Sequence, residues 1–275
     1  MKIGIVTDST SDIPPNLASE HGIMVVPAIL VIDGHSLEDG RGISREELYR
    51  QLPAMQTSPT TAAPSIGSFE FAYTELLKNG AEQIISIHVA SALSGIYNAA
   101  VTAAKSFGDR VHVFDSFSLS LGLGFQVLGA AEAVRDGISI NEIQKVIDEI
   151  RSHTHLVAML DTLEYVRRSG RVSWARSSLS SLLQIKPFLG VKDGKVIRLG
   201  ETRTRHKGIE RLYQMLYDLG PLRYLAVLHS NAEQDALQFV DRTRSLVKNQ
   251  SFIINVTSVI GVHVGPNGLG FVAVI

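Results

Sequence analysis

The stretch Ile84-Ile85-Ser86-Ile87-His88-Val89, with its continuation into Val111-His112-Val113-Phe114, decides the fold class. Each is a short apolar run bounded by turn residues, which fits a strand buried on both faces better than a helix. Residues 98–105 between them read as a helix, and residues 120–135 after them as a longer one. Strands alternating with helices of this length imply a parallel sheet covered on both sides.

The pattern extends in both directions. Residues 3–7 form an apolar run ending in a polar loop with Pro14-Pro15, and residues 24–32 predict a strand closed by the Asp33-Gly34 turn. Ser44 with Glu47 makes a capping box opening a helix to about Leu52. A Thr/Ser/Pro loop over 56–65 precedes a helix through Phe69, Phe71 and Leu76-Leu77 that stops at Asn79-Gly80. Ser139 and Glu142 cap an amphipathic helix carrying Ile143, Val146, Ile147 and Ile150 on one face.

The second half reads differently. It opens with a strand over 156–160, a short helix over 163–168 stopped by Gly170, and a hairpin turning at Asp193-Gly194. Helices around 209–219 and 232–247 flank strands at 224–228 and 252–256, and residues 271–275 form a further strand. The expectation is an α/β protein of two domains. Residues 1–155 form a parallel-sheet α/β domain, and residues 156–275 an α+β domain with a mixed or antiparallel sheet.

Composition excludes several functions. The 275 residues contain no cysteine, which removes disulfides, thiolate metal sites and a cysteine nucleophile. A net charge of −1 argues against a nucleic-acid binder held by a basic field. The longest nearly apolar run, 23–32, is interrupted by Pro27, whereas a spanning helix needs about 20 such residues. Met1-Lys2-Ile3-Gly4-Ile5-Val6 leads straight into Thr7-Asp8-Ser9 without a signal-peptide core. A cytoplasmic protein is expected, with no membrane span and only transient membrane contact.

Standard catalytic and nucleotide motifs are missing. Gly194-Lys195 is followed by Val196, Gly122-Leu123-Gly124 is followed by Val127 where a dinucleotide loop needs glycine, and Ser94-Gly95 has Ala92 where an esterase elbow needs glycine. His153 and His155 are two apart and make no zinc motif. No metal and no cofactor are expected.

Four segments carry hydroxyls or imidazole at turns. Ser91-Ala92-Leu93-Ser94-Gly95 joins a buried strand to a helix, where Ser94 either caps the helix or helps bind an anion. Thr57-Ser58-Pro59-Thr60-Thr61 is either a solvated loop or part of a site. Asp115-Ser116-Phe117-Ser118-Leu119-Ser120 is a second strand-to-helix turn. His263-Val264-Gly265-Pro266 sets an imidazole at a Gly/Pro turn, as a structural residue or as a donor to a carboxylate. A basic group, Arg167, Arg168, Arg171, Arg176, Arg203, Arg205 and Lys207, is a solvated face or, if convergent, a docking surface.

Taken in order, these segments resemble the DegV family, the fatty-acid-binding subunits that serve bacterial fatty acid kinase. The resemblance spans nearly the whole chain. It rests on Thr7-Asp8-Ser9, Thr61 with Pro64-Ser65, Leu93-Ser94-Gly95, Asp115-Ser116, Leu163-Glu164-Tyr165, Gly170-Arg171, Lys186-Pro187, Arg203 and His263-Val264-Gly265-Pro266. It implies a long-chain fatty acid buried in an apolar tunnel between the two domains, with its carboxylate on Thr61, Ser94 and His263. Gly95, Ser116, Ser120 and Gly265 are further candidate ligand contacts. Arg171 and Arg203 are candidates for contact with the kinase subunit or with a phosphate. Ala90, Ile96, Ala62 and Ala63 stand where the family often carries more polar residues.

The physical chemistry is consistent with such a ligand. A carboxylate leaving water needs replacement hydrogen bonds, which two hydroxyls and an imidazole supply. Burying about 14 methylenes at ~0.8 kcal/mol each yields roughly 11 kcal/mol before entropic costs. The expected function is a non-enzymatic carrier that presents the carboxylate to a separate ATP-dependent kinase for acyl-phosphate formation. Two other readings stand beside it: an acyl hydrolase or transferase with Ser94 as nucleophile and His263 as base, and a lipid-sensing regulator.

Overall fold

The computed structural model describes residues 2–176, 185–248 and 251–275. The chain forms two compact units. The first comprises Met1–Ile29, Thr61–His153 and Asp193–Lys195, and the second Leu30–Thr60, Thr154–Lys192 and Val196–Ile275. The chain passes between the units after Ile29, Thr60 and His153 and around Asp193–Lys195, so neither unit is a single continuous segment. The excursion Leu30–Thr60, which joins the second unit, has no composition signal.

The first unit holds strands β1 (Ile3–Asp8), β2 (Ile23–Val26), β6 (Gln83–His88) and β7 (Val111–Asp115) in a parallel sheet of order β2-β1-β6-β7. Strand β1 is buried along its whole length, as expected of a central strand covered on both faces. Helices α1 (Pro15–Glu20), α3 (Ile66–Lys78), α4 (Ile96–Ala104), α5 (Leu121–Arg135) and α6 (Ile140–Ser152) belong to the same unit. Helix α5 is buried from Leu121 to Ala131, and α6 buries Ile143, Ile147 and Ile150. The Glu142 carboxylate reaches back to the Ser139 N–H at 3.3 Å, completing the expected capping box.

The second unit contains β3 (Ile29–Ile32), β4 (His35–Glu38) and α2 (Arg45–Gln51) from the excursion, which ends at β5 (Thr60–Ala62). These strands form a small sheet of order β4-β3-β5. The rest is built from β8 (Thr154–Met159), α7 (Glu164–Ser169), α8 (Ser173–Arg176), β9 (Lys186–Lys192), β10 (Lys195–Thr202), α9 (Arg205–Tyr217), β11 (Tyr224–His229), α10 (Glu233–Thr243), β12 (Ser251–Asn255), α11 (Ser258–Val264) and β13 (Leu269–Val274). Its sheet, of order β10-β9-β8-β13-β11-β12, is mixed: β11 runs parallel to β12, and β13 runs antiparallel to both β8 and β11. Leu212, Leu225, Phe239 and Phe271 anchor the core, with Tyr213 stacked on Phe239 at 4.3 Å between ring centroids. No described helix is long and apolar enough to cross a membrane.

Some local readings differ from the structure: β5 lies within the stretch 56–65 read as a loop. The single strand expected over 24–32 is two strands, β2 and β3, separated at Pro27-Ala28. Proline has no N–H for a ladder, and the Ala28 N–H donates instead to Ser9 Oγ at 3.1 Å. Helix α11 has no counterpart in the sequence reading, because its β-branched residues do not favour helix.

Candidate functional site

In the first unit, Ser94 sits in the turn from β6 to α4, and the turn is tied down from below. The Val89 N–H donates to Asp8 Oδ2 at 3.2 Å, the Ala90 N–H to Ser118 O at 2.9 Å, and the Ser91 N–H to Asp115 Oδ2 at 3.1 Å. The Ser94 hydroxyl accepts from the Ile96 N–H at 3.3 Å. The hydroxyl thus engages the first N–H of α4, although Gly95, not Ser94, holds the N-cap position. A hydroxyl that accepts in this way still has its own hydrogen to donate.

Thr61 is half-buried on β5. A Cβ built on Gly95 would lie 3.9 Å from the Ala63 side chain, so the chain just after Thr61 runs beside the Ser94 turn. Gly95 itself is exposed. Ser116 and Ser120 are buried in the neighbouring β7–α5 turn, and their hydroxyls donate to Ser118 O at 3.2 Å and to Asp12 Oδ2 at 2.7 Å. Ser120 does not cap α5. Its backbone has φ 50°, and its N–H donates to Thr10 O at 2.8 Å.

Beneath the Ser94 turn lies a chain of polar groups that sequence reasoning missed. His88 Nδ1 meets Asp8 Oδ2 at 3.0 Å, His88 Nε2 meets Ser86 Oγ at 2.6 Å, and Ser86 Oγ meets Tyr73 OH at 2.9 Å. In the neutral tautomer that suits these partners, Nδ1 donates to the carboxylate and Nε2 accepts from the Ser86 hydroxyl. Burial pushes the Tyr73 phenol up to about 12, so it stays protonated. The set has the composition of a Ser-His-Asp triad, but Asp8, Ser86 and His88 are all fully buried. Its evident role is to fix the floor of the turn. The signal was present as Asp8 directly after one predicted strand and His88 near the end of another, which a parallel register brings together.

In the second unit, His263 lies in the last turn of α11. Burial pushes its imidazole down to about 4, and the nearby Arg171 guanidinium acts in the same direction. The ring is neutral at neutral pH, with one N–H to donate. Gly265 ends the helix at φ 78°, and a Cβ there would run into the Tyr165 ring. Ser230 pins the turn from α11 into β13: its hydroxyl donates to Gly265 O at 2.7 Å and accepts from the Gly268 N–H at 2.8 Å. Ser230 was also missed, because the Ser230-Asn231 pair marks only the turn after β11 and its partners lie 35 and 38 positions away.

Two members of the basic group are paired with carboxylates. Arg168 pairs with Glu164, and Arg205 with Asp235 while also donating to Asn267 O at 2.6 Å. Arg203 is exposed between β10 and α9. Arg171 is also exposed, and its charge is felt at His263. The Arg176 side chain lies outside the described residues.

A parallel-sheet unit bearing a hydroxyl at a strand-to-helix turn, and a mixed-sheet unit bearing a neutral histidine at a glycine turn, define a two-unit α/β protein equipped with hydrogen-bond donors. The chain belongs to the DegV family, whose model matches residues 2–275. A DegV family protein from Thermus thermophilus, described as fatty acid binding, matches with a TM-score of 0.93 at 31% identity, over 100% of this chain and 99% of that one. DegV of Bacillus subtilis, described as a fatty acid binding protein, gives 0.88 at 31% identity over 100% of both chains. A DegV domain-containing protein of Deinococcus radiodurans is 33% identical over 98% of this chain and 97% of its own.

Proposed function

We propose that this chain binds a long-chain fatty acid and holds its carboxylate with Thr61, Ser94 and His263. The observation that carries the reading is full-length similarity to the fatty-acid-binding Thermus thermophilus protein, at a TM-score of 0.93. The donor chemistry agrees with it. The Ser94 hydroxyl is oriented by the Ile96 N–H it accepts, and a neutral His263 donates without bringing a second buried charge. Carboxylate binding then depends on charge-assisted hydrogen bonds, while the acyl chain supplies most of the affinity.

In this reading the protein acts as a carrier. It presents the carboxylate to a separate ATP-dependent kinase, and Arg171 and Arg203 are the residues assigned to the kinase or to the phosphate. Gly95, beside Ser94, Gly265, beside His263, and Ser116 and Ser120 in the β7–α5 turn are the further ligand contacts in this reading. Solvent extraction of the purified protein followed by mass spectrometry tests the first step. Protein free of lipid, whose melting temperature does not respond to oleate, would exclude the proposal. Affinity capture from a lysate tests the second, a retained ATP-binding acyl kinase being the supporting result.

A further inference from the structure

Helix α11 has little of its own to hold it in place. It is seven residues long, shorter than a helix that is stable in isolation, and Val259, Ile260, Val262 and Val264 are all β-branched. Its N-cap residue, Thr257, makes no side-chain hydrogen bond to the helix. The Thr257 hydroxyl donates instead to Asp39 Oδ2 in the loop after β4.

Other side chains of the Leu30–Thr60 excursion grip the same root. Arg45 donates to Asn255 O, the Asn255 amide donates to Glu46 Oε1 at 3.0 Å, and Tyr49 OH donates to Val256 O at 2.8 Å. The Tyr49 ring fills the space over Gly261, where any Cβ would collide with it. Val262 is buried with Leu30, Leu48 and Leu52. The excursion thus engages residues 255, 256, 257, 261 and 262, immediately ahead of His263.

The clasp is not built for stability alone. Asp39 Oδ1 and Ser258 Oγ are both buried without a hydrogen-bond partner among the described residues, an arrangement that costs folding free energy. A fully apolar contact would hold the helix without that penalty. What the carboxylate adds is direction, since it fixes the azimuth and height of the first helical turn through one hydroxyl.

We propose that Asp39, acting through Thr257, is a positioning residue for His263. For its functional consequence this rests on His263 as a carboxylate ligand; for its structural consequence it does not. The test uses the full chain as Asp39→Ala, Asp39→Asn and Thr257→Val. Asparagine keeps an oxygen that accepts from Thr257, so it serves as the conservative rescue. Two quantities are measured: the titration midpoint of the His263 ring by NMR in lipid-free protein, and oleate affinity by displacement of a fluorescent fatty acid.

In Asp39→Ala and Thr257→Val the His263 midpoint should rise by about one pH unit toward that of free imidazole, and oleate should bind ~10-fold more weakly. Asp39→Asn should restore both to near the unsubstituted values. Thr257→Val removes the same bond from the other side and carries the test if Asp39→Ala does not fold. An unmoved midpoint in a folded variant, or Asp39→Asn behaving like Asp39→Ala, overturns the proposal. If the unsubstituted chain binds no oleate while the midpoint still moves, the fatty-acid reading fails and the positioning role stands. If it binds oleate while the midpoint stays fixed, the reverse holds.

Discussion

Asp8 and His88, eighty positions apart in sequence, share a 3.0 Å hydrogen bond in a place where neither side chain is exposed. The same carboxylate also accepts from the Val89 N–H at 3.2 Å and the Thr10 N–H at 3.0 Å. One side chain therefore ties the loop after β1 to the loop that carries Ser94. Asp8→Ala should orphan these donors and destabilise the protein by about 3 kcal/mol or more. Urea denaturation gives the value directly, and a loss below about 1 kcal/mol would contradict the assigned role.

Ser94→Ala separates two contributions of one hydroxyl. Losing the acceptor for the Ile96 N–H should cost about 1 kcal/mol of stability. Losing the donor to a carboxylate should weaken fatty-acid binding roughly tenfold. Oleate titration of the folded variant checks the second effect. The hydrolase reading makes a different prediction, namely covalent labelling of Ser94 by a fluorophosphonate probe.

Acid should destabilise the protein partly through His263. Its folded-state value is about 4, against 6.5 for an ordinary imidazole. Between those values the unfolded chain takes up a proton that the folded chain refuses. The contribution is complete above pH 6.5 and is lost as pH falls toward 4, by about 3 kcal/mol at most. His263→Asn should flatten denaturant midpoints measured across this window. A residual slope of the same sign is expected from His229, which burial also pushes down.

Gly261→Ala tests the packing of α11 on Tyr49. The added Cβ meets the Tyr49 ring, and overpacking of this kind costs about 1–3 kcal/mol. The double variant Gly261→Ala with Tyr49→Leu should recover part of the loss. Thermal melts of the two singles and the double give the coupling energy. Strict additivity would mean that the two residues do not press on each other.

The sequence was most informative where periodicity and caps agree. The alternation around Ile84–Val89 and Val111–Phe114 predicts the parallel sheet, and Ser139 with Glu142 marks the start of α6 to the residue. Asp193-Gly194 predicts the hairpin turn, where both residues have positive φ. Long-range docking left no such local mark. Nothing near Leu30–Thr60 signals membership of the second unit, because its partners lie more than one hundred positions away, and Val256 lies more than two hundred from Tyr49. Helix α11 was illegible for a related reason, since tertiary contacts override the local preference of its valines and isoleucine. Thr61, Ser94 and His263 stood out only as members of an ordered motif set, each being ordinary turn chemistry when taken alone.

Strand β13 lies between β8 and β11 in the sheet but comes after both in the chain. On the ribosome, β8 and β11 therefore emerge with no central partner, each exposing an unsatisfied edge until residues 269–274 arrive. The second unit cannot close before that moment, and its long-range pairings make closure slow. Nascent chains should thus be most vulnerable to aggregation and most dependent on chaperones until residues 269–274 have emerged.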